Sequence, residues 1–291
     1  MNDIIALVKR NCLCYFRDKA SVFFSLMGVL IVILLYLIFL RDMLVNSFPY
    51  EESPDVSIDL VRNYVDAWVL SGVLAIVSVT TSAGSLQTMI QDKVSGKLRD
   101  SMMTSLSPTK ISAAYVLSTF IVGQIMSVIT FVIAVVYLSA TGCAMTFLGA
   151  VLALVITIPA SLSGSIIIYA LTCRLSSEGA FSGFYTVLSV LIGFLTGIYM
   201  PMGEMTKGMQ TIGSMMPATH VAALMRQALS LESFGKIMVN APQETIDDLR
   251  FEMGYDLKLF GIEFSPAMNV IYIIAVTAAF FGLAVFLNRR R

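Results

Sequence analysis

The fold class of this chain is decided by an apolar stretch at residues 111–140, which reads ISAAYVLSTFIVGQIMSVITFVIAVVYLSA. No charged side chain interrupts it. A helix rises about 1.5 Å per residue, so about 20 apolar residues are enough to cross the roughly 30 Å hydrocarbon core of a bilayer. The stretch is therefore predicted to be a membrane-spanning helix.

Five similar stretches lie on either side of this one, each long enough to cross a bilayer and free of charge in its core. They are residues 21–40, 67–86, 146–172, 181–200 and 266–287. The composition agrees, because 57% of the residues are hydrophobic and only 13% are charged, whereas soluble domains carry about 25% charged residues. The chain is predicted to be an all-α integral membrane protein with a six-span domain over residues 21–291.

The distribution of charge predicts the orientation of the six spans. The net charge is zero. If both termini are cytoplasmic, however, the inner segments hold 12 of the 19 Lys and Arg residues and the outer segments hold 14 of the 19 acidic residues. Short cytoplasmic loops are enriched in Lys and Arg. The N-terminus and the C-terminus are therefore both predicted to be cytoplasmic.

The N-terminal segment, residues 1–20, is predicted to be an amphipathic helix that lies on the cytoplasmic surface of the membrane. At 100° per residue its apolar side chains fall on one third of the helix circumference, and most of its charges lie elsewhere. These apolar residues are Ile4, Ile5, Val8, Cys12, Tyr15 and Phe16. An alternative is a plain cytoplasmic extension of the first span.

The charged segment 87–110 joins the second and third spans and is predicted to be cytoplasmic and helical up to Ser107-Pro108. Its run Asp92-Lys-Val-Ser-Gly-Lys-Leu98, followed by Leu106-Ser-Pro108, resembles the loop after the second span in ABC type-2 permeases. Those proteins are the membrane subunits of one class of ATP-binding-cassette exporters. The resemblance implies that this loop docks an ATPase and couples it to the spans. The residues assigned to coupling are Asp92, Gly96, Leu98, Met102, Ser107 and Pro108.

A second resemblance to the same family follows the fifth span. The run Gly197-Ile-Tyr-Met-Pro201 is similar to the family's Gly-x-x-x-Pro exit, and the segment from Met216-Pro217 to Arg226 is similar to its Asn-Pro motif that ends in Arg. The resemblance implies re-entrant helices that dip into the outer leaflet within residues 201–265, together with a small extracellular cap. Pro201, Pro217 and Arg226 are assigned to an outer gate.

The resemblance to this family implies that the chain works together with other protein subunits. The sequence lacks a phosphate-binding loop of the GxxxxGK[ST] kind, so ATP and Mg²⁺ are expected on a separate ATPase subunit and no metal or cofactor is expected here. The expected function is ATP-driven export of a drug, a hydrophobic peptide, a lipid or a lipid-linked glycan. A second permease copy, as a homodimer or a related heterodimer, and membrane lipids complete the expected partners, without nucleic acid. The expected location is a bacterial plasma membrane.

Two other classes are weighed against an exporter: an intramembrane lipid-modifying enzyme and an ion-coupled secondary transporter. The first needs a nucleophile with a base, or paired carboxylates, at membrane depth, and the second usually needs charged midplane residues. The predicted spans show neither. Hydroxyl groups on the second span and polar groups at the end of the fifth are assigned to the substrate path. They belong to Ser78, Ser82, Thr196 and Tyr199.

Overall fold

The computed structural model describes residues 2–48, 56–103 and 106–289. Within these ranges six helices are long and apolar enough to span a membrane, which confirms the predicted number. Their bounds are Val29–Ser47, Ile58–Val94, Pro108–Ala140, Phe147–Thr172, Glu178–Leu195 and Pro266–Leu287. Arg290 and Arg291, which contribute to the predicted orientation, lie outside the described residues.

The N-terminal helix α1, Asn2–Arg17, is followed by a first span with an irregular turn. This span consists of α2 (Lys19–Leu35), a π-helical turn (Tyr36–Leu40) and α3 (Arg41–Ser47). It therefore continues seven residues beyond the predicted end at residue 40. A π turn widens the helix, so residues five apart in sequence approach the same face.

The second span, α4 (Ile58–Ser85), is the centre of the fold and is buried along nearly its whole length. It begins well before the predicted start at residue 67, because Ser57 caps it and accepts a hydrogen bond from the Leu60 N–H at 3.4 Å. Its small residues allow neighbouring helices to approach closely. A Cβ added at Gly164 of the fourth span would lie 3.1 Å from the Ser78 carbonyl oxygen.

Two short helices, α5 (Gln87–Val94) and α6 (Lys97–Met102), connect α4 to the third span. The third span is α7 (Pro108–Ala140), and the fourth is α8 (Phe147–Thr172). Both pack against α4. Pro108 occupies the first turn of α7, as predicted, because its fixed φ suits a helix start and its missing N–H costs no hydrogen bond there.

The fifth span, α9, and the sixth span, α14, are joined by residues 196–265, which are called the outer segment after their predicted side. After α9 (Glu178–Leu195) come a 3₁₀ turn (Met202–Glu204), α10 (Lys207–Ser214), α11 (Pro217–Leu229), α12 (Leu231–Ile237) and α13 (Gln243–Glu252). An antiparallel hairpin, β1 (Leu257–Leu259) and β2 (Ile262–Phe264), leads into α14 (Pro266–Arg289). Helix α11 is buried by α4, α8 and α14, so it belongs to the core.

Candidate functional site

The predicted coupling loop consists of the two short helices and a tight turn between them. The Ser95 N–H bonds to the Gln91 carbonyl oxygen at 2.9 Å and ends α5. Gly96 follows with a φ of 81°, a left-handed conformation that glycine adopts without the usual steric cost. The glycine therefore turns the chain from α5 into α6.

Asp92 lies on the buried side of α5, where it binds two other helices. Both terminal nitrogens of Arg10, on α1, donate hydrogen bonds to its carboxylate, and the Tyr115 hydroxyl on α7 donates a third at 2.6 Å. The hydrogen bond with Asp92 raises the pKa of Arg10 above its ordinary value. The assigned coupling residue Asp92 thus joins α1, α5 and α7 inside the protein.

The contact between α1 and α7 extends beyond this ion pair. The Asn11 side chain, which is buried, donates to the Ser118 hydroxyl at 3.4 Å, and Val8 and Tyr15 are buried beside it. Ile5, by contrast, is exposed. Helix α1 therefore packs one face on α7 and leaves other apolar side chains uncovered.

A second anchor holds the coupling loop from the opposite side. The Lys93 ammonium donates to the Cys173 carbonyl oxygen at 2.7 Å and to the Leu175 carbonyl oxygen at 2.9 Å. These acceptors follow the last turn of α8, where carbonyl groups have no helical partner and the helix dipole favours a cation. Adjacent residues of α5 therefore bind α1 and the segment between α8 and α9.

The outward face of the loop carries two exposed apolar side chains. Val94 is 54% exposed and Met103 is 86% exposed. Leu98, assigned to coupling from the sequence, is half-buried against the main core, and the side chain of Met102 lies outside the described part of the structure. Sequence reasoning placed the apolar docking face on Leu98 and Met102, and the exposed apolar residues among the described side chains of the loop are Val94 and Met103.

In the outer segment, Arg226 of α11 is fully buried and forms no ion pair with any described carboxylate. Its Nη2 donates to the Thr196 and Gly197 carbonyl oxygens at 3.0 and 3.1 Å, and its Nη1 donates to the Gly254 carbonyl oxygen at 3.3 Å. Its guanidinium carbon lies 4.6 Å from the centre of the Trp68 ring, at a distance that allows a cation–π interaction. Arg226 therefore connects the segments that follow α9 and α13 to the central helix.

Burial lowers the pKa of Arg226 to about 10, which still leaves the guanidinium charged at neutral pH. Its carbonyl acceptors lie at helix ends, where the helix dipole is negative. The other two residues assigned to the outer gate lie near the same segments: Pro201 caps the 3₁₀ turn and Pro217 occupies the first turn of α11. The geometry brings all three into the outer segment, with Arg226 at its centre.

A family model described as the ABC-2 family transporter protein matches residues 44–286. This range includes the coupling loop, the outer segment and most of the sixth span. The chain belongs to the ABC-2 transporter family. It is therefore a multi-pass membrane permease, which is the transport subunit of an ABC transporter. A comparison with curated proteins finds no match.

The four residues assigned to the substrate path occupy different environments in the permease. Ser78 and Ser82 are buried, and each donates to a carbonyl oxygen of its own helix. Thr196 is also buried and donates to the Ile192 carbonyl oxygen at 2.7 Å. Tyr199 is half-buried beside Phe194. The first three would reach a substrate only if the packed helices separated.

An ionic cluster within the spans was missed by sequence reasoning. Asp66 of α4 is buried and accepts two hydrogen bonds from Arg41 at 2.9 and 2.8 Å, one from Tyr36, and one from Tyr137 at 3.0 Å. The π turn brings Tyr36 and Arg41 to one side of the first span. The cluster ties the first three spans together, and its members lie outside or at the edges of the predicted apolar stretches.

The single histidine of the permease, His220, is part of the packing between α11 and α14. Its Nε2–H donates to the Ser214 carbonyl oxygen at 2.8 Å, its Nδ1 lies 2.6 Å from the Asn269 side-chain oxygen, and its ring stacks on Tyr272. Burial lowers its pKa. Among the described residues, no group of three or more His, Cys, Asp or Glu side chains is arranged to hold a metal ion.

Proposed function

We propose that this permease exports an amphipathic substrate from the cytoplasm or the inner leaflet, driven by a separate ATP-binding-cassette ATPase. The substrate class is a drug, a hydrophobic peptide, a lipid or a lipid-linked glycan. Two permease copies, identical or related, form the transport unit in a bacterial plasma membrane, with both termini cytoplasmic. ATP and Mg²⁺ are bound by the ATPase.

The coupling loop carries this proposal. Val94 and Met103 are exposed in a charged connection between spans, which the predicted orientation places in the cytoplasm. Exposed apolar side chains in such a place are typical of a protein-binding surface. The ABC-2 family implies an ATP-binding-cassette partner in general, and we assign that partner to this loop.

The two anchors of α5 support a mechanism of transmission. When the ATPase moves the loop, Asp92 pulls on α1 through Arg10, and Lys93 pulls on the segment that leads into α9. Because Asp92 and Lys93 are adjacent, both elements respond to one movement of α5. Asp92 therefore acts in this scheme as a positioning residue for the loop.

The substrate surface is proposed on the exposed side of α9. Val187, Val190, Leu191 and Phe194 are exposed there, and the half-buried Tyr199 lies beyond their outer end. This face offers apolar contacts over about two turns and one polar group near the outer side, which suits an amphipathic molecule. A cleft between two permease copies would place two such faces opposite each other.

Orientation is tested with single-cysteine permeases. Cys14 is exposed and is a better probe of the cytoplasmic side than the buried Cys173. A variant that retains only Cys14 should react with a membrane-impermeant maleimide after cell lysis but not in intact cells. Labelling of Cys14 in intact cells would reverse the proposed orientation.

The docking surface is tested by the double variant Val94→Asp/Met103→Asp, purified with a tagged ATPase. Two added charges on an apolar contact should remove most of the co-purified ATPase, while the permease still reaches the membrane. The matched control is Val239→Asp/Phe260→Asp, which alters two exposed apolar residues of the outer segment. Equal ATPase recovery from both variants would place the docking site elsewhere.

Export itself is tested in vesicles that contain the permease and its ATPase. ATP-dependent movement of a fluorescent amphipathic dye or a fluorescent phospholipid is expected. Transport driven by an ion gradient without ATP would instead favour a secondary transporter, and covalent change of the lipid would favour the enzyme alternative.

A further inference from the structure

A cavity of about 400 Å³ lies between α7, α8 and α14. Its walls are mainly apolar and come from all three spans, for example Val116 and Phe120 of α7, Leu162 of α8 and Phe281 of α14. Leu117, Leu162 and Phe281 of its walls are exposed, so the cavity is open at the apolar surface of the spans. An acyl chain has the chemistry that these walls bind.

One end of the cavity is polar. Thr109 and Ser112 contribute hydroxyl groups in the first turns of α7, where the cavity also meets Val285 near the end of α14. Lys110 is exposed beside them and forms no ion pair with any described residue. No acidic residue is among the described residues that line the cavity. The polar end therefore suits a negatively charged group.

The start of α7 adds one backbone hydrogen-bond donor. Pro108 has no N–H, and the Lys110 and Ile111 N–H groups bond to the Ser107 carbonyl oxygen at 2.9 and 3.1 Å. Ser107 caps this helix without a side-chain hydrogen bond, so the Thr109 N–H is left for a ligand, and phosphate binds well at helix N-termini. The charge-based orientation places this end in the cytoplasmic leaflet, where anionic phospholipids attract basic residues.

We propose that the cavity binds one anionic phospholipid of the cytoplasmic leaflet. One acyl chain lies between α7, α8 and α14, and the phosphate group contacts Lys110 and the hydroxyls of Thr109 and Ser112. This inference depends on the chain being a membrane protein with this orientation and holds whatever substrate is exported.

The site also has a connection to the coupling loop. Tyr169 lines the cavity and lies one helical turn before Cys173, whose carbonyl oxygen accepts the hydrogen bond from Lys93. A lipid that packs against Tyr169 therefore supports the end of α8 at the place where the loop is anchored.

Native mass spectrometry of the purified permease tests the site with phosphatidylglycerol and phosphatidylcholine of the same chain length. The wild type should retain phosphatidylglycerol about fivefold more strongly, the factor expected for one basic residue at an anionic surface. Lys110→Glu should remove this preference, and the control Lys19→Glu, which also reverses an exposed lysine, should keep it.

The cavity is tested separately by Ala113→Trp, which places an indole at its wall, with Ala275→Trp as the control on an exposed position of α14 that does not line the cavity. Ala113→Trp should lose the tightly held lipid and Ala275→Trp should retain it. Equal retention of both lipids by the wild type, or unchanged lipid in Ala113→Trp, would overturn the proposal. Loss of a protein subunit from Ala113→Trp with unchanged lipid would identify a protein occupant and overturn it as well.

Discussion

The coupling loop and the segment between α9 and α14 both bury a charged side chain, but they stabilise it in different ways. In the loop, Asp92 is paired with Arg10, whose side chain is 37% exposed and belongs to a separate helix. In the α9–α14 segment, the fully buried Arg226 bonds to three backbone carbonyl groups. If the Arg10–Asp92 pair separates, water can hydrate Arg10, whereas the fully buried Arg226 has no such access to water.

This difference assigns distinct mechanical roles to the two regions. A pair with one half-exposed partner loses less when it opens, because solvent replaces part of the interaction. Buried carbonyl groups left without a donor cost about 1–3 kcal/mol each. The Arg10–Asp92 contact is therefore suited to a hinge that can open. The contacts of Arg226 are suited to a clamp that keeps the bound segments together.

The largest expected effect is that of Arg226→Leu. Three carbonyl groups would lose their donor in a buried site, so stability should fall by roughly 3 kcal/mol or more. Thermal unfolding in detergent, followed by the fluorescence of the chain's single tryptophan, Trp68, reports on this site directly. Arg62→Leu, which removes a partly exposed arginine from the same side, should cost less than about 0.5 kcal/mol. Similar losses in the two variants would contradict the clamp.

Gly254→Ala should be the next most damaging change. Gly254 has a φ of 69°, and an added Cβ would lie 2.5 Å from Arg226 Nη1. The substitution combines left-handed strain of about 1–2 kcal/mol with displacement of the guanidinium. A loss of about 2 kcal/mol or more is expected in the same unfolding measurement. A neutral effect would show that the clamp can adjust.

Asp92→Asn should cost about 1–2 kcal/mol, less than Arg226→Leu, because Arg10 can be hydrated once the carboxylate is gone. The control is Asp100→Asn, which neutralises an exposed acid on α6 and should leave the melting temperature nearly unchanged. If Asp92→Asn were as destabilising as Arg226→Leu, the distinction between hinge and clamp would fail.

Gly96→Ala is expected to have the smallest effect, about 1 kcal/mol. Gly96 also has a positive φ, of 81°, but an added Cβ would meet no atom within 4 Å. Only backbone strain is therefore introduced. Comparing its melting temperature with that of Gly254→Ala separates strain alone from strain with a clash, and equal losses would mean that the clash is relieved at no cost.

The spans could be predicted from the sequence because apolar length is a local property, and the start of α7 could be predicted because proline acts locally. The ends of the first two spans could not, since Arg41 and Asp66 become compatible with burial only by pairing with each other across two helices. Likewise, Arg10 lies 82 residues from Asp92. Arg10 lies beside apolar residues of α1, which is only a weak sign in the sequence that it contacts another helix. Its partner is set by tertiary packing.

The residues predicted to dock the ATPase show a second reason why the site could not be predicted in full from the sequence. The four-residue spacing of Leu98 and Met102 predicts a shared face, but spacing alone does not determine which face of a short helix packs on its own protein. Leu98 packs inward, and the turn that ends α6 exposes Met103. The position of the loop in the chain can therefore be predicted from the sequence. The orientation of its helices depends on the contacts that Asp92 and Lys93 make with other elements.

The central claim, that the Arg10–Asp92 contact carries movement of the coupling loop to α1, is tested most directly by hydrogen–deuterium exchange. The permease and its ATPase are compared with and without a non-hydrolysable ATP analogue. In the wild type, the analogue should change exchange in the loop, in α1 and in residues 173–177. In Asp92→Asn, the account predicts that the loop and residues 173–177 still respond, because Lys93 is intact, and that the response of α1 is lost. An unchanged response of α1 in Asp92→Asn would contradict it.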